Sequence, residues 1–132
     1  VKSLQYSMIQ DFCRHTSSTH IPSGISSEVY ECMNYIRSHT NEPLSIDDVS
    51  KFIHRSSSYT MKHFKEELGI NMGAYIMRCK LEEAKSLLTY SNKSLIEISN
   101  YLCFSSQSYF QNVFKKKYGI TPLQYRKKTQ HV

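Results

Sequence analysis

Residues 105–119, SSQSYFQNVFKKKYG, carry two faces that ask for different neighbours. On a helical wheel Phe110, Val113, Phe114 and Tyr118 recur at i, i+3, i+4 and i+8 along one apolar side. Ser108, Gln111, Asn112, Lys115 and Lys116 gather on the other, with Gln107 at its edge in the first turn. No carboxylate interrupts that outer face. Amides can hydrogen-bond base edges in a major groove, and lysines can neutralise the flanking phosphates. A solvated surface helix could show the same pattern, so the rest of the chain has to decide between them.

With 132 residues, 39% of them hydrophobic, the chain can build one compact domain or two small ones. Its formal charge of +6 is unevenly placed. Residues 1–44 hold three Lys/Arg against four Asp/Glu, whereas residues 45–132 hold fourteen against seven. The basic part suits a polyanionic partner, either nucleic acid or an anionic membrane surface. Cys13, Cys32, Cys79 and Cys103 lie far apart with no CxxC pair, which is not zinc-ligand spacing and not a disulfide framework. Cys32 and Cys79 fall in apolar helical patterns, as buried free thiols do. A reduced, cytoplasmic protein is expected, with no metal and no cofactor. No apolar run approaches the roughly 20 residues of a membrane span.

Residues 1–13 show only a weak helical period, and 14–25, RHTSSTHIPSGI, read as a linker. Because the chain starts at Val1, residues 1–26 are expected to be the tail of a missing upstream regulatory domain. A helix capped by Ser27 and running to about His39 has an apolar stripe of Val29, Cys32, Met33 and Ile36. Ser45 starts a short helix with Ile46, Val49 and Phe52 or Ile53 inward. A serine-rich turn at Ser56 to Ser58 then opens a third helix, with Thr60, Phe64 and Leu68 inward and Gly69 at its end. From about Met72 to Thr89 the wheel has two apolar sides, Met72, Ile76 and Cys79 on one and Met77, Leu81, Ala84 and Leu88 on the other. One stripe suffices for one core; two predict a connector between two cores. Ser94 to Glu97 forms a capping box before a helix with Ile98 and Leu102 inward. Thr121-Pro122 starts a last helix through Arg126, with a fraying basic tail from Lys127.

The chain also repeats itself. At an offset of 49, Val49, Ser50, Ser56 and Ser57 fall on Ile98, Ser99, Ser105 and Ser106. At an offset of 50, Tyr59, Phe64, Lys65, Gly69, Ile70 and Tyr75 fall on Tyr109, Phe114, Lys115, Gly119, Ile120 and Tyr125. The repeated object is a short helix, a tight turn, a longer helix with a polar outer face and a Gly-Ile exit: a helix-turn-helix used twice. Ser58, Met61, Lys62 and Lys65 in the first copy correspond to Ser108, Gln111, Asn112 and Lys115 in the second. Two copies joined by a helix can enter successive major-groove segments if they sit about 34 Å apart.

From about Ser27 to Arg126 the chain resembles the DNA-binding domain of the AraC/XylS family of bacterial transcription regulators. Phe104, Ser108-Tyr109-Phe110, Val113-Phe114-Lys115, Gly119, Thr121-Pro122 and Tyr125-Arg126 stand as that family's signature does, and Leu44-Ser45, Val49, Ser56, Tyr59, Phe64-Lys65, Gly69, Tyr75 and Ala84 match in the first half. The resemblance implies an all-α, seven-helix domain of two homeodomain-like helix-turn-helix subdomains, at 27–71 and 91–132, joined by a long linker helix at 72–90. It implies base-reading positions at Ser57, Ser58, Met61, Lys62, Gln107, Ser108, Gln111 and Asn112. Phosphate contacts are expected, from the placement of the cations, at Lys65 and Lys115, where each helix would pass the backbone, and at Lys116. Promoter DNA and RNA polymerase would be partners, with a homodimer possible through the upstream domain. Three departures stand out. His54 and Cys103 replace the family's turn glycines, and Thr60 replaces a leucine. The first copy, which also offers few groups for bidentate base pairing, is expected to read sequence less stringently.

Two other functions compete. A non-specific DNA-compacting protein would use mostly Lys/Arg, whereas Gln107, Gln111 and Asn112 suit base edges. An enzyme would need a phosphate loop, a nucleophile motif, HExxH or paired carboxylates. Asp47-Asp48, Glu66-Glu67 and Glu82-Glu83 are sequence neighbours, so each pair diverges on its helix.

Overall fold

Among the described residues, serine or threonine starts nearly every helix. A computed structural model describes residues 24–130, and these form seven helices. They are α1 (Ser27–Ser38), α2 (Ile46–Phe52), α3 (Ser57–Leu68), α4 (Met72–Tyr90), α5 (Leu95–Tyr101), α6 (Gln107–Tyr118) and α7 (Pro122–Thr129). Ser26, one residue earlier than expected, caps α1, its side chain accepting from the Val29 amide. Ser45, Ser94 and Thr121 close reciprocal capping boxes with Asp48, Glu97 and Gln124. Gly69 and Gly119 end α3 and α6 in the left-handed region, at φ 79° and 83°. Residues 1–23, most of the expected linker, lie outside the described residues.

The chain divides into two compact units, and the division falls inside α4, between Cys79 and Lys80. The first unit takes residues up to His39 and Leu44–Cys79. Its core is Val29, Cys32, Met33, Ile36, Val49, Phe64, Leu68, Met72, Tyr75 and Cys79. Burial pushes the Cys32 thiol up to about 12, so it packs as an apolar group. Thr60 is buried as expected, and its hydroxyl is satisfied by donating to the Ser56 carbonyl at 2.8 Å. Of the alternatives Phe52 or Ile53, Ile53 is the one packed against this core; Phe52 is 50% exposed, its ring tilted beside that of Tyr35 at 4.6 Å.

The second unit takes Thr40–Pro43 and Lys80–Val132. Leu81, Ala84, Leu88, Ile98, Leu102, Phe110 and Phe114 are buried there, the last two linked edge-on at 6.0 Å. Lys80 is 7% exposed, and its ammonium donates to the carbonyls of Thr40, Glu42 and Leu102 at 2.7, 3.1 and 2.8 Å. Three N–H donors meet three acceptors, which is why a lysine can sit inside. Desolvation still lowers its pKa. The last helix runs to Thr129, beyond the expected end at Arg126. Arg126 donates to the Leu88 carbonyl at 3.0 Å, and Gln130 donates to the carbonyls of Leu88 and Ser91 at 2.9 and 3.1 Å, holding the tail against the end of α4.

Candidate nucleic-acid interface

Each unit contains a pair of helices joined by a tight turn, α2–α3 and α5–α6. The turns are the same object. Arg55 and Phe104 donate their amides to the Ser50 and Ser99 carbonyls, both at 3.0 Å, and both serines are buried where the helices cross. Immediately before them His54 and Cys103 take φ values of 58° and 62°, the conformation that the family's glycine would supply. The caps fix the register: Ser56 accepts from the Tyr59 amide and Ser106 from the Tyr109 amide. Ser106 is therefore the counterpart of Ser56, and the extra residue of the second turn is Ser105. The offset changes to 50 two residues earlier than the serine matches suggest, so Ser56 pairs with Ser106 and not with Ser105.

The outer face of α3 presents Ser58, Met61, Lys62 and Lys65, all exposed. Ser57 points elsewhere, its hydroxyl donating to the Asp47 carboxylate of α2. Met61, 43% exposed, borders a largely apolar groove of roughly 780 Å³, shared with Ile46 of α2 and Met72 of α4. Glu66 on the same helix is exposed beside His63, 3.9 Å away. The face is therefore mixed in charge.

On α6, Ser108, Asn112, Lys115 and Lys116 are exposed, while Gln107 and Gln111 are half-buried on one flank. Phe110 and Phe114 hold the opposite side in the core. The helix has no acidic residue and ends in Lys115, Lys116 and Lys117. Cations in the last turn of a helix also lie at the negative end of its dipole, which favours them there. Thus Ser58, Met61, Lys62 and Lys65 share one face within the first unit, and Ser108, Asn112, Lys115 and Lys116 share one within the second. The periodicity had made nothing of Tyr109, which is 45% exposed on α6 beside Asn112. Its environment could not be read from Tyr59, whose hydroxyl is bonded to Glu28 of α1 and whose ring lies beside Arg55 and His63.

Among the described residues no helix is long and apolar enough to cross a membrane, and no cluster of three His, Cys, Asp or Glu could hold a metal ion.

A family model described as a helix-turn-helix domain matches residues 49–128. The regulatory protein PocR of Salmonella typhimurium is 32% identical over 128 residues, which cover 95% of this chain and 42% of PocR. The xylose operon regulatory protein of Escherichia coli is 40% identical over 109 residues, covering 83% of this chain and 28% of the relative. The chain thus spans less than half the length of these curated relatives. Among solved structures, the C-terminal domain of AraT, a response regulator from Geobacillus stearothermophilus, superposes with a TM-score of 0.77 at 30% identity, over 83% of this chain and 92% of that one. On the paired turns, the matched residues and these relatives, the chain belongs to the AraC/XylS family of helix-turn-helix proteins.

Proposed function

We propose that the chain binds double-stranded promoter DNA sequence-specifically, as the DNA-binding part of a bacterial transcription regulator, with α3 and α6 entering successive major-groove segments. The observation that carries this reading is the outer face of α6. Ser108 and Asn112 are exposed and unengaged by other described residues, they are flanked by Lys115 and Lys116, and the helix has no carboxylate to repel phosphate. In this reading Asn112 and Ser108 take base edges, with Gln107 and Gln111 reaching in from the flank. Met61 gives α3 an apolar contact for a thymine methyl, and Ser58 and Lys62 add polar ones. Lys65, Lys115 and Lys116 neutralise phosphates. Ser57, tied to Asp47, supports the turn more than it reads a base. Contact with RNA polymerase, a homodimer formed through an upstream domain and a cytoplasmic location extend the same reading.

The test separates base contacts from phosphate contacts. Asn112→Ala should weaken binding to a cognate duplex by about 1–3 kcal/mol and change the preferred base there. Lys116→Ala should weaken cognate and random duplexes alike and lower the salt slope by about one. If both variants lose cognate and random binding in parallel, the chain is a non-specific basic DNA binder instead.

A further inference from the structure

The two long helices of the repeat have the same length and the same caps, so their residues correspond one for one. Both span 12 residues between a capping serine and a closing glycine. Tyr59 and Tyr109 are third in their helices, and Glu66 and Lys116 are tenth. Their surroundings nevertheless differ. The Tyr59 hydroxyl donates to Glu28 of α1 at 2.8 Å, and its ring lies 4.6 Å under the Arg55 guanidinium and 4.1 Å from the His63 ring. That phenol is fully engaged inside the first unit. The Tyr109 hydroxyl has no partner among the described residues, and its ring only brushes Phe104 at 6.2 Å.

On α6, Tyr109, Asn112 and Lys116 fall at i, i+3 and i+7, one exposed strip about two turns long. The same strip on α3 is Tyr59, Lys62 and Glu66, a bound phenol and a carboxylate flanking one cation. A helix lying in a major groove turns each flank toward a sugar–phosphate backbone, and tyrosine hydroxyls are among the groups that donate to phosphate oxygens. A carboxylate at the tenth position would oppose such a contact, whereas a lysine would reinforce it. We propose that Tyr109 donates its hydroxyl to a DNA phosphate on the backbone that Lys116 neutralises, giving α6 a clamp along this flank that α3 lacks. The inference rests on α6 being the major-groove helix of the proposed function.

Tyr109→Phe keeps the ring against Phe104 and removes only the donor. Fluorescence anisotropy against a cognate and a random duplex, over a range of salt, should show roughly three- to tenfold weaker binding to both. The cognate-to-random ratio should hold, and the salt slope should stay unchanged because the lost group is neutral, unlike that in Lys116→Ala. Methylphosphonate placed at successive phosphates should find one position where Tyr109→Phe no longer weakens binding, a result independent of any change in the variant's stability. Unchanged affinity in Tyr109→Phe, or a loss confined to the cognate duplex, overturns the phosphate contact. A wild-type chain that fails to prefer the cognate duplex overturns the reading of α6 itself. Preference with a neutral Tyr109→Phe sinks only the clamp.

Discussion

His54 at φ 58° and Cys103 at φ 62° carry a side chain through the left-handed backbone region that glycine enters freely. The turn hydrogen bonds from Arg55 and Phe104 need that conformation, so the helix-turn-helix geometry is kept at the cost of strain. Relief of about 1–2 kcal/mol, reduced by glycine's greater freedom in the unfolded chain, should leave Cys103→Gly more stable by roughly 0.5–1 kcal/mol. Urea denaturation measures it; a destabilised variant would mean that the thiol contributes a contact worth more than the strain. Gly119 makes the reverse comparison. A Cβ there would meet nothing within 4 Å, so Gly119→Ala should lose stability through φ alone, by about 1 kcal/mol. The positions of these turns were legible in the sequence, since departures from the family's glycines point straight at them. The Lys80 ammonium was not: its partners are backbone carbonyls of Thr40, Glu42 and Leu102, and a carbonyl is present in every residue.

At the scale of elements, carboxylates fasten α1 to α3: Glu67 of α3 accepts from the amide of Ser26, the cap of α1, at 2.7 Å, and Glu28 of α1 reaches the other way. Glu28 accepts from Arg55 at 2.6 Å and from Tyr59 at 2.8 Å, and those hydrogen bonds, that from Arg55 foremost, hold its carboxyl below the usual range. A carboxylate depressed in the folded state contributes stability that is fully present above its unfolded pKa, about 4.3 for glutamate. That contribution is lost as the pH falls through the lower folded value. Glu28→Gln should therefore lower the denaturation midpoint at pH 7 and narrow its gap to wild type below pH 4. A gap independent of pH would show that the ion pair is not what joins these helices. Helix starts were legible because serine caps and capping boxes are local. The choice between Phe52 and Ile53 and the length of α7 were not. Both depend on contacts with other helices, such as those of Ile53 and Gln130.

For the whole molecule, the duplication was the most legible feature, since Gly69 and Gly119, Phe64 and Phe114, and Ser50 and Ser99 all take equivalent structural roles. What self-comparison hides is divergence in roles under conserved identity. Tyr59 and Tyr109 are the same residue in the same register, yet one is bonded to Glu28 and the other is open. Phe104 stands at the register of Arg55 but is buried, after which Ser105 has no counterpart. Charge diverges too, with Lys116 and Lys117 replacing Glu66 and Glu67, so the second unit should supply most of the phosphate affinity and the first more of the apolar readout. The central claim is that both copies read one duplex, and selection of bound DNA from a random pool tests it most directly. The enriched site should contain two blocks of preferred bases centred about 10–10.5 base pairs apart, one helical turn, with the preference at one position of the stronger block changed in Asn112→Ala. A single block, or a pool that enriches no motif, would contradict it.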